Sequence, residues 1–467
     1  MSQNHVIDRS TNSCNLSLME IKEKPQQIVL SSRMNKKLKF VRYLITTALG
    51  AIVALKLYLV LFVIDPIIGL YGFLATSLIF MAFLFAYTKY KDPSIIPDAR
   101  RSCNEPFVSV VIPVKNESEM IREVVDACLA SSYEKTEIIL VNDGSTDDTG
   151  RVMDSLQREN PRRVKVVHLI ENLGKRKAIR EGMVRANAQG DIIVLVDSDS
   201  VVDKTAIENL VRVFNDPEVG AVTGHARAKN ADQNTLTRIQ DAWYDGQFFI
   251  MKGIESSFNT VTCCSGTLSA YRKEAIMPCL DSWCNDRFLG APFKPGDDRH
   301  LTSYVLGGSK HYLDSRNKAW KVCYCESALV HTLAPSGFKQ FIRQQIRWKK
   351  SWVRIFCFTA PFYHKNRSPI AAIFYYLQMT LSLIMPLVVF RSLVMLPLQG
   401  EYMDTLAYLG GVLFIGFVYA LEFRLRNPHL GNRWIYRIMM TVLSVFILSY
   451  LLYYSLLTIR KGSWLTR

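Results

Sequence analysis

Two groups of long apolar runs flank a mixed, charged middle segment. Each run is long enough to cross a bilayer core, which takes roughly 20 residues. The first group consists of Phe40–Ile64 and Pro66–Thr88, and the second of Ile370–Leu398, Met403–Glu422 and Trp434–Leu457. The pattern therefore predicts two transmembrane helices at 39–89 and further membrane helices at 368–459.

The middle segment, from Tyr90 to Arg367, places short apolar runs between stretches with helical spacing. The predicted strands are Val108–Val114, Glu137–Val141, Val164–Leu169 and Asp191–Val196, and the predicted first helix is Ile121–Ala130. Continuous apolar runs of this length are typical of strands buried on both faces. Strands that alternate with helices predict a parallel sheet, and hence one large α/β domain at 100–337.

Basic residues beside the apolar runs predict which side of the membrane the large domain lies on. The stretches RMNKKLKF and YTKYKD flank the first two runs, and such flanks stay in the cytoplasm. The large domain and the polar segment 1–38 are therefore predicted to be cytoplasmic, at the plasma membrane. The first run starts too late, is too long and lacks a cleavage site, so it is not a signal peptide.

The last apolar run raises a question of topology, because basic residues follow it as well as precede it. The loop Arg424–Arg437 and the tail 460–467 are both basic, which favours the cytoplasm for both. We therefore expect Trp434–Leu457 to enter the membrane and return, leaving four full crossings.

The net charge of +16 does not indicate a nucleic-acid partner, because many lysines and arginines flank the apolar runs. The remainder suits phosphate-bearing substrates. Ten cysteines occur without paired C-x-x-C or histidine spacing, so they are interpreted as reduced, buried thiols rather than zinc ligands.

Acidic motifs follow two of the predicted strands, where ligands of parallel sheets bind. Asp143, in NDGS, has the chemistry to accept a hydrogen bond from a base or ribose, or it belongs to an ordinary turn. Asp197 and Asp199, in DSDS, favour a divalent cation bridging a diphosphate over a solvated turn.

Three later motifs each have two interpretations. Lys175 and Arg176 follow Gly174 in a basic run that suits phosphate recognition at a helix start, or a plain basic surface. Asp297 and Asp298, in GDDR, suit a general base or the acidic start of a helix. The stretch QQIRWKKSW, within an amphipathic segment at 338–367, offers Arg347 to phosphate and Trp348 to a sugar ring. It also suits a helix at the membrane interface, and we expect both.

The order PVKNE, VNDGSTDDT, GKRKA, DSDS, GDDR and QQIRW resembles the inverting family-two glycosyltransferases of the GT-A (Rossmann-like) fold, over about 107–352. The flanking membrane runs resemble those of processive cellulose, chitin and hyaluronan synthases. The stretches TGHARAKN, LTRIQDAWYD, CCSGTLSAYRKEAI, FLGAPFKPGDDRHLTSYVL and QQIRWKKSW look most like those of bacterial hyaluronan synthases, as does the tail SLLTIRKGSWLTR. Chitooligosaccharide synthases share GKRKA and DSDS.

The resemblance implies a role for each candidate residue. Asp143 would contact uracil, Lys175 and Arg176 would lie near the nucleotide, Asp197 would touch the nucleotide sugar, and Asp199 would bind Mg²⁺ or Mn²⁺. Asp298 would be the general base with Asp297 beside it, Gln344 and Arg347 would bind the diphosphate, and Trp348 would line the acceptor site. Positions that depart from the family pattern are Lys115, Asn142, Ile355 and Leu465.

The implied activity is a processive, inverting polymerisation of UDP-GlcNAc and UDP-glucuronate, with export of a β-linked, hyaluronan-like polysaccharide through the membrane. The nearest alternative is a chitin or chitooligosaccharide synthase, which needs UDP-GlcNAc alone. Two further alternatives are a non-processive transferase acting on a lipid carrier and a catalytically silent protein that binds nucleotide sugars.

Overall fold

The structure is a computed structural model of the chain. It describes residues 25–62, 65–95, 105–307, 319–365 and 367–460. The chain divides into two units, Met1–Ala48 and Leu49–Arg467. The described part of the first unit is the beginning of helix α1, and the sheet, the cavity and the other membrane helices belong to the second unit. Of the predicted tail at 460–467, all but Arg460 lies outside the described residues, as do residues 1–24 of the N-terminal segment.

Within the described residues, four helices are long and apolar enough to cross a membrane. They are Leu38–Val60 within α1 (Pro25–Phe62), α2 (Pro66–Thr88), the stretch Pro369–Leu398, and α15 (Tyr402–Arg426). The start of α2 illustrates how local sequence determines where one of these helices begins. The Asp65 carboxylate accepts hydrogen bonds from the amides of Ile67 and Ile68 at 3.2 and 3.1 Å, and Pro66 follows it in the first turn.

The last apolar run is not straight. Its two parts, Pro428–Leu448 and Leu451–Leu457, are bent by 40° at a short break. A bend of this kind fits a broken span as well as a segment that returns to the same side, so the predicted return stays a prediction.

The described residues of the middle segment contain an eight-stranded sheet in the order β3-β2-β1-β4-β7-β6-β10-β5. Its strands are β1 (Val108–Val114), β2 (Thr136–Asp143), β3 (Val164–Leu169), β4 (Ile192–Val196), β5 (Ser200–Val202), β6 (Val219–Ala228), β7 (Leu268–Arg272) and β10 (Lys321–Thr332). A two-stranded ribbon is formed by β8 (Arg287–Phe288) and β9 (Ala291–Pro292).

Helices cover this sheet and lead back to the membrane. They are α3 (Ile121–Leu129), α4 (Thr149–Glu159), α5 (Lys175–Arg185), α6 (Ala206–Val213), α7 (Thr235–Gly246), α8 (Gly253–Ser257), α9 (Lys273–Ile276), α10 (Leu280–Cys284), α11 (Asp297–Val305), α12 (Phe338–Thr359), α13 (Pro369–Phe390), α14 (Leu396–Leu398), α16 (Trp434–Leu443) and α17 (Leu451–Leu457).

The four strands predicted from apolar runs are β1 to β4, and β1 pairs in parallel with both β2 and β4. Every residue of β1, β2 and β4 is buried, as continuous apolar runs require. The sheet is mixed rather than wholly parallel, because β7 runs antiparallel to β4 and β6. The predicted alternation ended at β4, so it could not include this reversal.

The parallel pairing brings the ends of β2 and β4 to one edge of the sheet. Asp143 is the last residue of β2, and Asp197 directly follows β4. Because β1 lies between these strands in matched register, both acidic motifs face the same side of the domain.

Helix α12 carries the QQIRW motif beside the membrane helices. The Ser455 hydroxyl of α17 donates to the Ile346 carbonyl at 3.3 Å, and the Lys350 ammonium donates to the Thr458 carbonyl at 2.6 Å. These two bonds fix α12 against the last apolar segment, so the motif is held between the sheet and the membrane helices.

Candidate functional site

One cavity contains the whole set of predicted site residues. It has a volume of about 1420 Å³ and opens at the edge of the sheet where β2 and β4 end. Its lining includes Asp143, Lys175, Arg176, Asp197, Asp199, Asp297, Asp298, Gln344, Arg347 and Trp348. These residues come from motifs spread over some 200 positions of the sequence. The sequence gives only the order of these motifs along the chain, and the fold brings them together in space.

The Asp143 carboxylate is held by backbone amides of the loop before α5. It accepts hydrogen bonds from Leu173 N at 2.8 Å and Gly174 N at 3.0 Å. Burial raises the pKa of Asp143, and these amides together with the Lys115 and Lys294 cations oppose that rise. Both carboxylate oxygens thus accept from the loop before α5 rather than from the NDGS turn, and the side chain also lines the cavity.

Lys175, at the start of α5, joins two acidic motifs. Its ammonium contacts the Asp197 carboxylate and lies 3.0 Å from Asp297 Oδ2. Burial disfavours the charged form of Lys175, but these two carboxylates outweigh it and raise its pKa above the ordinary value. Burial alone would raise the pKa of Asp297, yet Lys175 lowers it below the usual range. The DSDS and GDDR motifs are therefore connected through one cation.

Asp298 lies beside that ion pair and has a different environment. One carboxylate oxygen accepts from Arg299 N at 2.7 Å. The other accepts from Gly266 N at 3.3 Å and lies 3.6 Å from the Cys263 thiol. Within the described residues Asp298 forms no ion pair, whereas Asp197 and Asp297 are both paired with Lys175.

Asp199 has the chemistry of a hard-cation ligand. Its Oδ1 accepts from the hydroxyls of Ser200 and Thr332, both at 3.3 Å, and its side chain lines the cavity. No group of three or more histidine, cysteine or acidic side chains suited to a metal is found in the described residues. The donors present fit a cation such as Mg²⁺ that binds through one or two carboxylates and completes its shell with phosphate oxygens and water.

The acidic loop packs directly on α12 at Gly296. This residue has φ of +73°, and a Cβ built on it would lie 1.7 Å from the Ser351 hydroxyl oxygen. Only glycine fits here, both because of its conformation and because of the close approach. The contact fixes the distance between the GDDR motif and the QQIRW helix.

Aromatic rings line the cavity next to the QQIRW motif. The Trp348 ring lies 5.8 Å from the Trp243 ring and 6.4 Å from the Tyr244 ring, measured between centroids. Trp348 remains 36% exposed, which leaves part of its face open to a sugar. The Gln344 Oε1 atom is buried without a hydrogen-bond partner in the described residues, so it is available to a ligand.

Arg176 differs from its neighbour Lys175 because its guanidinium is buried among protein groups. It donates to the carbonyls of Trp283 and Pro295 at 2.9 and 3.1 Å. It also lies 3.5 Å from Asp286, which accepts from Arg354 of α12 at 2.5 Å. These bonds hold the loop before the GDDR motif in place. Contact between Arg176 and a nucleotide stays a prediction.

Several lining residues had no predicted role. Trp243, Tyr244 and Gly266 lie in stretches that carried only the family resemblance, and Asp286 and Ser351 carried no signal of their own. A Cβ at Gly266 would lie 2.9 Å from the Lys175 ammonium, which explains glycine there. Such close approaches are visible only once the loops are folded together.

The cavity continues past the DSDS, GDDR and QQIRW motifs to the membrane helices. At that end it is lined by Gln378, Met379, Ser382 and Met385 of α13, and by Ser449 and Leu452 at the bend of the last apolar run. Amides and hydroxyls therefore alternate with apolar side chains along this part.

A GT-A-like sheet whose acidic strand ends open into a cavity fits a glycosyltransferase. The family model described as "Glycosyltransferase like family 2" matches residues 105–351, more than half of the chain. The chain belongs to this family. It is a hexosyltransferase, and its apolar helices make it a multi-pass membrane protein.

Curated relatives extend the similarity beyond the matched domain. The chain is 29% identical to a hyaluronan synthase of Streptococcus pyogenes serotype M3, over 92% of this chain and 98% of the relative. It is 32% identical to an N-acetylglucosaminyltransferase of Azorhizobium caulinodans, over 78% of this chain and 87% of the relative.

A solved structure is similar at lower identity. It is a mannosyltransferase of Pyrobaculum calidifontis in complex with GDP-Man and Mn²⁺, which is 17% identical and has a TM-score of 0.48. The similarity covers 80% of this chain and 97% of that one.

Proposed function

We propose that the protein is a processive, inverting hyaluronan-type synthase, which polymerises UDP-GlcNAc and UDP-glucuronate and exports the product. The observation that carries this proposal is the single cavity that joins Asp298 to the inner faces of the membrane helices at Gln378 and Ser449. A transferase that releases each product to the cytoplasm has no need of such a passage.

Export through the protein follows from the physics of the product. A chain of sugar hydroxyls cannot enter bare hydrocarbon, because each unsatisfied polar group costs several kcal/mol there. The amides and hydroxyls of Gln378, Ser382 and Ser449 provide hydrogen-bond partners along the membrane end of the cavity. The domain would accordingly face the cytoplasm, where nucleotide sugars are supplied.

Inversion requires one displacement assisted by one base. Asp298, which forms no ion pair within the described residues, would take the proton of the acceptor hydroxyl as the hydroxyl oxygen attacks the anomeric carbon. UDP leaves from the opposite face, so an α-linked donor gives a β-linked product. Charge developing on the diphosphate would be stabilised by Arg347 and Gln344, which line the cavity nearby.

The remaining candidates would position the donor. Asp143 would contact the uracil, Asp197 the nucleotide sugar, and Trp348 the acceptor. Lys175, paired with Asp197 and Asp297, would hold both acidic motifs in register. Asp199 would hold Mg²⁺ or Mn²⁺, which when bound neutralises charge on the diphosphate.

A second candidate is chitin or chitooligosaccharide synthesis, which the 32% identity to an N-acetylglucosaminyltransferase favours. The two candidates differ in the donors that they need. Purified protein would be incubated with labelled UDP-GlcNAc, with and without UDP-glucuronate. We expect long polymer only with both donors, and we expect hyaluronidase to digest it. Long, hyaluronidase-resistant polymer from UDP-GlcNAc alone would assign the protein to chitin synthesis.

A further inference from the structure

A lysine lies in the wall of the cavity where the catalytic motifs give way to the membrane helices. Lys349 lines the cavity together with Ser449 and Leu452. It belongs to the stretch of α12 between Ile346 and Lys350, the two residues that bond to the last apolar segment. Lys349 therefore belongs to the wall of the cavity that would carry a polymer from Asp298 to the membrane helices.

Lys349 differs from Lys350, its neighbour on α12, and from Lys252, another lysine of the cavity wall, because it has no partner within the described residues. The Lys350 ammonium donates to the Thr458 carbonyl at 2.6 Å, and the Lys252 ammonium donates to the Cys263 carbonyl. The structure gives Lys349 no hydrogen bond and no ion pair within the residues that it describes. Its side chain is nevertheless half-buried.

Desolvation without a partner is unfavourable for a cation. Burial lowers the pKa of Lys349 to about 8, with no neighbouring carboxylate to oppose it. A ligand carboxylate placed beside the ammonium would offset this loss of hydration, and a charge-assisted hydrogen bond is stronger than one between neutral groups.

The other groups at this end of the cavity do not distinguish acidic from neutral sugars. Gln378, Ser382 and Ser449 offer amides and hydroxyls, which bond equally well to the hydroxyls of any hexose. A polymer of GlcNAc alone carries no group that neutralises an ammonium. A polymer with alternating uronic acid carries one carboxylate in each disaccharide.

We propose that Lys349 binds the carboxylate of a uronic acid in the growing polymer, and so makes the passage selective for an acidic polysaccharide. The proposal rests on the proposed polymer synthesis and adds to it the residue that recognises the acidic sugar. Lys349 is in this sense a specificity-determining residue, separate from the groups that would hold the donor.

The test compares two ligands that differ only in charge. One is a hyaluronan hexasaccharide, and the other is the same hexasaccharide with its carboxyl groups reduced to alcohols. Calorimetry would measure the affinity of both for the wild-type protein and for Lys349→Gln, Lys349→Arg and Lys339→Gln. Lys339 lies on the same helix, is exposed and does not line the cavity, so its substitution changes the net charge equally.

We expect Lys349→Gln to weaken binding of the acidic hexasaccharide about tenfold or more, as the loss of a hydrogen bond between charged groups does. The reduced hexasaccharide should bind as it does to the wild type. Lys349→Arg should keep most of the preference for the acidic ligand, and Lys339→Gln should keep all of it. UDP affinity and the midpoint of thermal unfolding, both unchanged, would show that the variants fold.

The proposal is overturned if the wild type binds both hexasaccharides equally, or if Lys349→Gln weakens both to the same extent. The donor assay described above tests the polymer separately. Hyaluronan synthesis by a wild type that shows no charge preference would sink the role of Lys349 alone. Synthesis of chitin alone would instead contradict the proposed function, whatever the affinities of the two hexasaccharides.

Discussion

Lysines at the two ends of the cavity differ in whether a protein carboxylate pairs with them. At the sheet end, Lys175 contacts Asp197 and Asp297, so its charge is neutralised by the protein itself. At the membrane end, Lys349 has no such partner among the described residues. A neutralised cation holds a site in one geometry, whereas an unpaired one is available to a ligand. In the proposed function, this difference distinguishes a rigid site for chemistry from a passage that recognises the product.

The largest effect is expected at Asp298, the acid of the GDDR motif that forms no ion pair within the described residues. Asp298→Asn keeps the shape and removes the proton acceptor, so turnover should fall by about 10²- to 10⁴-fold. UDP binding should remain nearly intact, because the contacts of Asp298 are with Arg299, Gly266 and Cys263 rather than with the nucleotide candidates. A turnover assay and calorimetry with UDP measure the two quantities. Turnover at the wild-type level would show that Asp298 is not the base.

Asp199→Ala should produce the next largest effect. Loss of even an outer-shell partner costs a metal site about 10- to 100-fold in affinity, so loss of a ligand should weaken UDP binding with Mn²⁺ at least tenfold. Binding without metal should change little. UDP titrations of the wild type and the variant, with Mn²⁺ and with chelator, provide the comparison. Equal affinities with Mn²⁺ would remove Asp199 from the metal site.

A pair of glycines tests whether the distance between the GDDR loop and α12 matters. Gly296 and Gly290 both have positive φ, but a Cβ meets Ser351 at Gly296 and meets nothing within 4 Å at Gly290. Each alanine substitution should cost about 1–2 kcal/mol in backbone strain. Gly296→Ala should in addition lower turnover, because it displaces α12, whereas Gly290→Ala should not.

Unfolding midpoints and turnover of both glycine variants measure the difference, and Ser351→Gly is the matched rescue. We expect Gly296→Ala with Ser351→Gly to regain part of the lost activity. The same turnover in both single variants would show that the contact with Ser351 does not position the site.

The sequence predicted the first half of the sheet well because the relevant signal is local. A strand buried on both faces needs a continuous apolar run, and β1, β2 and β4 each show one in sequence. Asp143 and Asp197 could be assigned to one edge because parallel strands end together. The antiparallel β7 was missed because its pairing depends on a chain reversal that no periodic pattern reports.

The contacts within the site could not be predicted for a similar reason. The bond between Lys175 and Asp197 joins residues 22 positions apart, and the contact between Gly296 and Ser351 joins residues 55 apart. Lys349 and Lys350 look alike in sequence, yet one lines the cavity and the other bonds to Thr458. The position of each lysine around the helix axis and the packing of the neighbouring helix determine which side chain lines the cavity. Neither can be inferred from the motif alone.

In the proposed function, catalysis and export share one continuous cavity, and reconstituted vesicles test this directly. Proteoliposomes receive labelled UDP-GlcNAc and UDP-glucuronate from outside, so that only protein with an outward-facing catalytic domain is active. Hyaluronidase is then added outside, with or without detergent. We predict that the polymer in intact vesicles resists the enzyme because it lies in the lumen, and that detergent makes it digestible. Complete digestion in intact vesicles would contradict the claim.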